Sequence, residues 1–245
     1  MDINRQDFES ELSKVFKTNG LGALLDKNKS ELFFKLTERM LTENEKYNLT
    51  AITEPSKIIL NHYADCALLS KFLPKGARII DVGCGAGFPS LPLAIVREDV
   101  EILGLDSTGK RINYVNESAA LLGLTNLTAI CARAEDAARL ADYRERFDYA
   151  TARAVAELRV LCELCLPFVK VGGAMLAMKG KNAEFELSGA KRAISILGGD
   201  GARCENVTLC GMGEDLTHPI ITVKKKTRTP QSYPRSFAQI SKKPL

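Results

Sequence analysis

Histidine is scarce in this sequence, which disfavours most metal and acid–base sites, and tryptophan is absent. The 245 residues include no tryptophan and only 2 histidines, His62 and His218, which are isolated from each other. The 7 cysteines include one C-x-x-C pair, Cys162 and Cys165, but no second pair completes a zinc site. That pair lies in an apolar, helical-looking run, where small buried thiols are common. We therefore expect structural thiols and no metal ion.

Long apolar runs are also missing. No segment approaches the roughly 18 apolar residues of a membrane span, and residues 1–7 are polar, unlike the start of a signal peptide. The apolar fraction of 45% and the charged fraction of 26% are ordinary for a globular domain. We therefore expect a cytoplasmic protein with no membrane partner, and we favour a monomer.

Acidic residues are absent from the end of the chain. Residues 222–245 contain seven lysines and arginines and no acid, whereas the whole chain carries a net charge of only +4. A basic tail on a mildly acidic body is typical of a protein that binds a polyanion, although a purely solubilising tail is the alternative. We divide the chain into an N-terminal helical extension at 1–74, a cofactor-binding domain at 75–226 and a basic C-terminal tail at 227–245.

A glycine-rich turn is the most informative feature that is present. Residues 78–82 form the short apolar run of a buried parallel strand, and Gly83, Gly85 and Gly87 follow it. Glycine permits positive φ and lets bare backbone approach a ligand. The helix predicted from Ser90 presents its free amides to the same place. Strand, turn and helix together predict a nucleotide-type cofactor site.

The spacing indicates which cofactor the turn binds. A dinucleotide fingerprint needs a third glycine at the position of Phe88. Here an acid, Asp81, precedes glycines at every second position, a pattern that resembles the first motif of S-adenosylmethionine (SAM) dependent methyltransferases. Asp106 ends a second predicted strand 23 residues after Gly83, close to the roughly 20 expected for an acceptor of ribose hydroxyls. A surface turn with a helix-capping aspartate is the alternative.

Strands and helices alternate through the rest of the chain. In the extension we expect a helix capped by Ser30, a loop at 47–52 and a second helix beginning at Pro55. This alternation predicts an α/β fold, a doubly wound Rossmann-like sheet of class I methyltransferase type, closed by an antiparallel pair. The further predicted strands are 101–106, 127–131, 147–151, 173–178, 204–210 and 220–224, and the helices are 108–122, 157–168 and 184–197.

Ligands of such a sheet lie at the carboxyl ends of its strands, which brings a set of residues together. We expect backbone amides of Ala134 and Glu135 to bind the adenine edge, Asp106 to bind the ribose, and Arg153 to support the cofactor or the polyanionic partner. The predicted cofactor-binding set is Gly83, Gly85, Phe88, Asp106, Ser107, Ala134, Glu135 and Arg153.

Motifs along nearly the whole chain resemble one family, the bacterial small-subunit ribosomal RNA guanine-N7 methyltransferases, also called the glucose-inhibited division protein B family. The resemblance implies SAM as the cofactor, 16S ribosomal RNA or the small ribosomal subunit as the partner, and SAM contacts at Gly83, Phe88, Ala134, Glu135 and Arg153. Cys66, Cys84 and Ser90 depart from the family pattern, and residues 236–245 match its basic tail only in part. The matching stretches are 47–50, 62–65, 81–95, 106–111, 133–135, 151–156, 178–180 and 233–235.

The chemistry that this resemblance implies needs no general base. Guanine N7 carries a lone pair and no proton at neutral pH, so the transfer depends on alignment and on the exclusion of water. We expect Asn48 to hold a base edge or the methionine end of SAM, and Lys179 to contact a phosphate, with a loop-capping asparagine and a surface lysine as alternatives. We expect the tail, with Tyr233 and Phe237, to hold RNA, so that truncation after Lys226 weakens RNA binding and leaves SAM binding intact.

Three other functions are alternatives. A NAD-dependent oxidoreductase is disfavoured by Phe88 in place of a third glycine. A methyltransferase for protein or small molecules is disfavoured by the basic, acid-free tail. A non-catalytic ribosome-assembly factor is disfavoured by the intact glycine turn followed by Asp106.

Overall fold

A sheet of seven strands forms the centre of the molecule, which a computed structural model describes for residues 3–211, 213 and 215–245. Its strands are β1 (Arg78–Val82), β2 (Glu101–Asp106), β3 (Leu127–Cys131), β4 (Phe147–Arg153), β5 (Val169–Met178), β6 (Gly199–Leu209) and β7 (Leu216–Lys225). They lie in the order β3-β2-β1-β4-β5-β7-β6. The first five are parallel, and β7 runs antiparallel to β5 and β6. The predicted doubly wound α/β sheet with a closing antiparallel pair is confirmed.

Helices cover both faces of this sheet. They are α1 (Arg5–Thr18), α2 (Lys27–Tyr47), α3 (Pro55–Ile58), α4 (Asp65–Ala67), α5 (Ser90–Val96), α6 (Gly109–Leu121), α7 (Ala134–Ala137), α8 (Leu158–Cys165), α9 (Ala183–Ile196) and α10 (Phe237–Lys242). A π-helical stretch, Ile59–Ala64, joins α3 to α4, and a 3₁₀ turn, Leu68–Phe72, follows α4. No helix in the described ranges is both long and apolar enough to cross a bilayer.

Strand β1 shows how the apolar sequence specifies two helical layers. Its side chains alternate between the faces of the sheet, as the period of two requires. Ile79 belongs to the apolar core shared with α1, α2, the 55–72 segment and α5. Ile80 and Val82 belong to the core on the other face, shared with α8, α9 and Ile240 of α10. All three strand residues are at most 1% exposed, and burying each such side chain stabilises the fold by about 1.5–3 kcal/mol.

The N-terminal helices pack into the apolar core on one face of the sheet, and one expected cap is wrong. Helix α2 begins at Lys27 because the Asp26 carboxylate accepts the Lys29 amide at 2.8 Å. Ser30, the predicted cap, lies inside the helix and is buried. The loop predicted after α2 begins at Asn48, which ends the helix in the left-handed region at φ 50°.

Strand β5 begins four residues earlier than the sequence predicted. Gly173 has no room for a side chain, because an added Cβ would meet the carbonyl oxygen of Asp148 on β4. The register between β4 and β5 shifts between Phe147 and Tyr149, the irregularity that a strand glycine often marks. Gly172 and Gly173 resemble a turn in the sequence, but they accommodate a bulge within one long strand.

The basic tail is held against the body of the protein. Arg235 forms an ion pair with Glu163 of α8, whose side chain is fully buried. Ile240 of α10 is fully buried in the core. The start of the tail is held by Lys225 of β7, whose amine donates to the hydroxyl oxygen of Thr229 as well as to the carbonyl oxygen of Leu166. The residues of the predicted tail therefore form a structural strap, although its predicted contact with RNA stays a prediction.

Candidate active site

The glycine turn adopts the positive φ values that its three glycines predict. Gly83, Gly85 and Gly87 have φ values of 74°, 54° and 84°, a region that other residues rarely adopt. A Cβ added at Gly83 would lie only 2.7 Å from Val155 of the β4–α8 loop. The Gly83 amide donates to the carbonyl oxygen of Leu105 at 2.7 Å, which ties the turn to the end of β2. The turn thus brings bare backbone to the carboxyl edge of the sheet.

Asp106 ends β2 and is fixed by backbone amides. Its Oδ2 accepts the Gly85 amide at 3.1 Å, and its Oδ1 accepts the Thr108 amide at 2.8 Å. The Arg111 guanidinium lies 3.7 Å from Oδ2. A carboxylate offers about four acceptor positions, so both oxygens retain acceptor capacity. That capacity suits the two hydroxyls of a ribose.

Asp81, the acid before the turn, has a different role. It is 1% exposed, and its Oδ2 accepts both the amide and the hydroxyl of Ser90 at the start of α5. Thr151 donates to its Oδ1 at 3.4 Å. Burial raises the pKa of Asp81 to about 6, against the lowering effect of these hydrogen bonds. Asp81 therefore caps a buried helix, and Ser90, a departure from the family pattern, supplies the hydroxyl that it binds.

A cavity of about 290 Å³ opens at this edge of the sheet. It brings together five of the predicted cofactor residues, namely Gly83, Asp106, Ser107, Ala134 and Glu135. Its walls also include Arg111, Val155 and Phe237, for which the sequence motifs predict no cofactor contact. Gly85 acts through its amide on Asp106. Phe88 and Arg153 do not line this cavity, and their predicted cofactor contacts stay predictions.

Arg153 and Phe88 lie instead in a buried cluster around His62. The Phe88 ring stacks on the His62 ring with centroids 4.3 Å apart. The Arg153 guanidinium lies 3.3 Å from Asp65, and Asp65 also binds Nδ1 of His218 at 2.8 Å. The cluster thus links the end of β4 with the π-helical stretch and with β7. Two of its partners, Asp65 and His218, could not be associated with Arg153 by sequence spacing.

His62 is neutral in this cluster. Burial, assisted by the charge of Arg153, lowers the pKa of His62 to about 3. A guanidinium only donates hydrogen bonds, so Nδ1 of His62 accepts from Arg153 at 3.3 Å. Its Nε2 then carries the proton and donates to Thr50 Oγ1 at 2.9 Å. The imidazole acts as a structural connector and is not available as an acid near neutral pH.

Lys179 holds the loop that forms one wall of the cavity. Its amine donates to the carbonyl oxygen of Ala156 at 2.8 Å and pairs with Glu186 at 2.7 Å. Glu186 also accepts the amide of Leu158 at 2.8 Å. Ala156 and Val155 line the cavity, so Lys179 positions that wall. Its predicted phosphate contact stays a prediction.

Asn48 lies in a second depression, of about 280 Å³, beside the first. The two share Thr108 and Arg111 as lining residues. The Lys110 amine lies 6.0 Å from the centroid of the Tyr47 ring, which is 46% exposed. An exposed aromatic ring among cations is the combination that binds single-stranded nucleic acid. The full lining is Lys46, Tyr47, Asn48, Leu49, Thr108, Lys110 and Arg111.

The cysteine pair is buried, as expected. Cys162 and Cys165 lie in α8 and are fully buried. Burial raises the pKa of Cys162 to about 12 and that of Cys165 well above its ordinary value, so both thiols stay protonated. Among the described residues there is no group of three or more His, Cys, Asp or Glu side chains that could hold a metal ion.

Comparison with known sequences gives full-length matches. The family model described as rRNA small subunit methyltransferase G, GidB, matches residues 29–212. The protein named ribosomal RNA small subunit methyltransferase G from Clostridium perfringens is 45% identical over 229 residues, covering 93% of this chain and 95% of the relative. A protein of the same name from Alkaliphilus oremlandii is 39% identical over 239 residues, covering 96% and 99%.

Comparison with solved structures supports the fold. A precorrin-6y C5,15-methyltransferase from Geobacter metallireducens superposes with a TM-score of 0.51 at 18% identity, covering 73% of this chain and 92% of that one. The M. jannaschii protein TYW2, solved in complex with AdoMet, gives a TM-score of 0.51 at 14% identity, covering 65% and 73%. At these identities the likeness shows a shared Rossmann-like fold.

Proposed function

This chain belongs to the rRNA small subunit methyltransferase G family, a family of SAM-dependent methyltransferases, and from that premise we propose that it methylates N7 of a guanine in 16S ribosomal RNA. The full-length similarity to relatives of that name supports the ribosomal substrate. Methyl transfer to N7 requires no general base, because N7 carries a lone pair and no proton to remove.

The observation that carries this proposal is the convergence of three elements on one cavity. The Asp106 carboxylate, the bare backbone at Gly83 and the end of β3 at Ala134 all line it. We assign the ribose hydroxyls to Asp106, whose oxygens have unused acceptor capacity, and the adenine edge to the backbone of Ala134 and Glu135. A side chain at Gly83 would meet Val155, so glycine lets the turn pack closely against the β4–α8 loop, which forms another wall of the same cavity.

We assign the methionine half of SAM to the rest of the turn. Gly85 and Gly87 keep that part of the turn free of side chains. Phe88 follows them, and its ring is held by stacking on His62. Arg153 directly precedes Ala154, a lining residue of the cavity, and its guanidinium is held by Asp65. These positions support, for Phe88 and Arg153, a role in fixing the shape of the site next to the methionine end.

The reaction then depends on alignment. SAM supplies an electrophilic methyl group, and the N7 lone pair attacks it without loss of a proton. What this chain contributes is a fixed geometry and a site from which water is excluded. Lys179 contributes to the fixed geometry, because its hydrogen bond to the carbonyl oxygen of Ala156 holds the loop beside the cavity. Neutral His62 contributes to it by linking Thr50 to Arg153.

The depression that contains Asn48 is assigned to the RNA. Guanine N7 is hidden in the deep, narrow groove of an A-form duplex, so the target base must be unpaired or turned out of a helix. Tyr47 offers a stacking surface, while Lys110 and Arg111 offer charge to phosphates. Because Thr108 and Arg111 line both depressions, a base held beside Asn48 lies next to the cofactor site.

Transfer of labelled methyl from SAM tests the proposal. Small ribosomal subunits and naked 16S RNA, both from cells that lack this protein, serve as acceptors, and the nucleosides are then separated. The proposal expects label in 7-methylguanosine, and the better acceptor identifies the physiological substrate. SAM binding without transfer to either acceptor contradicts the proposal and favours another methyl acceptor or a non-catalytic assembly factor.

A further inference from the structure

One wall of the cofactor cavity comes from the far end of the chain. Phe237, the first residue of α10, lines the cavity together with Ala134 and Glu135. Phe237 is 38% exposed, so its ring is not fully packed against the protein. The Arg133 guanidinium lies over the ring, 4.9 Å from its centroid. An aromatic surface thus faces the cavity at the end of β3.

A buried ion pair fixes the position of this ring. Arg235 lies two residues before Phe237, and its guanidinium binds both carboxylate oxygens of Glu163, with a shortest distance of 2.6 Å. The Arg235 amide also donates to Glu163 at 2.8 Å. Glu163 is fully buried, and a buried carboxylate is retained only with such compensation. The next residue of α8, Leu164, itself lines the cavity.

Further anchors lie on both sides of the ring. Arg144 donates to the carbonyl oxygens of Tyr233 and Thr229, each at 2.8 Å, and Arg139 donates to that of Pro234. After the ring, Ile240 is fully buried in the core. These contacts involve only the protein, so Phe237 is in place before any RNA binds.

We propose that the adenine ring of SAM packs on Phe237, and that the C-terminal segment is therefore a part of the cofactor site. Adenine has an apolar aromatic face as well as a hydrogen-bonding edge, and paired aromatic rings attract beyond the area they bury. The backbone of Ala134 and Glu135 supplies the edge contacts, and Phe237 supplies the surface. Arg133 lies over the phenyl ring in a cation–π contact. This inference rests on the proposed function, because it takes the cofactor to be SAM.

Truncation after Lys226 is then expected to weaken SAM binding as well as RNA binding. The sequence alone predicts a loss of RNA binding with SAM binding intact. Removal of Phe237 together with its anchors removes a wall of the cavity, so SAM binding falls as well. Lys242 and Lys243 lie in and directly after α10, so contacts of these cations with RNA act on the helix that carries the ring.

Calorimetric titration of the full chain with SAM and with adenosine tests the inference. Phe237→Ala is expected to raise the dissociation constant for SAM by about tenfold, the order expected for one lost stacking partner. Adenosine, which lacks the methionine half, is expected to show the same ratio. Phe237→Tyr keeps the aromatic surface and is expected to restore binding. Phe185→Ala, which removes an 82% exposed ring on α9, is the matched control.

The outcomes separate this inference from the proposed function. If the wild-type protein does not bind SAM, the proposed function fails. If the wild type binds SAM and Phe237→Ala binds it equally well, with an unchanged melting temperature, the inference is overturned while the proposed function stands. A loss for SAM without a loss for adenosine also overturns it, because the ring would then act on the methionine half.

Discussion

Replacement of Asp106 by asparagine tests the ribose assignment at the level of single atoms. The two carboxylate oxygens each accept one backbone amide, from Gly85 and Thr108. Asparagine has one oxygen, so its amide nitrogen must face one of these N–H groups. The change therefore removes a hydrogen bond within the turn and also removes an acceptor for a ribose hydroxyl.

The magnitude follows from those two losses. A hydrogen bond to a charged group contributes about 1.5–3 kcal/mol, and part of the loss within the turn is recovered by relaxation. We expect a net loss of about 3 kcal/mol in SAM binding, or a dissociation constant roughly 100 times higher. The maximum rate at saturating SAM is expected to change much less, because Asp106 binds the cofactor and not the reacting methyl group.

Calorimetric titration of the purified variant with SAM measures this effect. Asp200→Asn is the matched control, because Asp200 lies on β6 and pairs with Lys226 at the surface. The control is expected to bind SAM as the wild type does. A dissociation constant for Asp106→Asn within a factor of two of the wild-type value would refute the assignment of the ribose to this carboxylate.

Three further predictions concern the loop, the RNA side and the buried histidine. Lys179→Met frees the carbonyl oxygen of Ala156 and is expected to weaken SAM binding, with partial recovery in Lys179→Arg; equal binding in all three proteins would contradict a positioning role. Tyr47→Ala is expected to weaken RNA binding by about tenfold, the cost of one lost stack, with SAM binding unchanged; an unchanged filter-binding affinity for RNA would remove Tyr47 from the interface. His62 has a folded-state pKa of about 3, below its ordinary 6.5, so the unfolded state binds the extra proton between these pH values and the free energy of unfolding falls as the pH falls from 6.5. In urea unfolding at pH 5 and pH 7, His62→Gln is expected to show a smaller difference in the free energy of unfolding between the two pH values than the wild type. An equal difference in the two proteins would contradict the assignment of a neutral His62.

The parts of the site that depend on nearby residues could be predicted from the sequence. The turn at Gly83–Gly87 lies between a strand and a helix whose patterns are local, and Asp106 follows at the distance that one βαβ unit sets. Parallel strands then bring the ends of β2 and β3 together, so Asp106 and Ala134 line one cavity. The choice of cap for α2 was less determined, because both Asp26 and Ser30 are good caps and burial of Ser30 decided between them.

The parts that depend on distant residues could not be predicted. Phe237 lines the cavity because Arg235, two residues before it, forms an ion pair with Glu163, which is 72 residues away in the sequence. No periodicity of the sequence links these positions. The same holds for Arg153, whose position is set by Asp65, 88 residues before it, and, through Asp65, by His218. The basic composition of the tail predicts RNA binding, but two of its residues have a role within the protein itself: Arg235 pairs with Glu163, and Phe237 lines the cavity.

The most direct test of the central claim is nucleoside analysis of 16S ribosomal RNA by mass spectrometry. The RNA comes from cells that lack this protein and carry a plasmid with the wild-type gene, the Asp106→Asn variant or the Asp200→Asn control. We expect one additional 7-methylguanosine per RNA with the wild type and with Asp200→Asn, and a much smaller amount of 7-methylguanosine with Asp106→Asn. Equal amounts of 7-methylguanosine with and without the wild-type gene would contradict the proposed function.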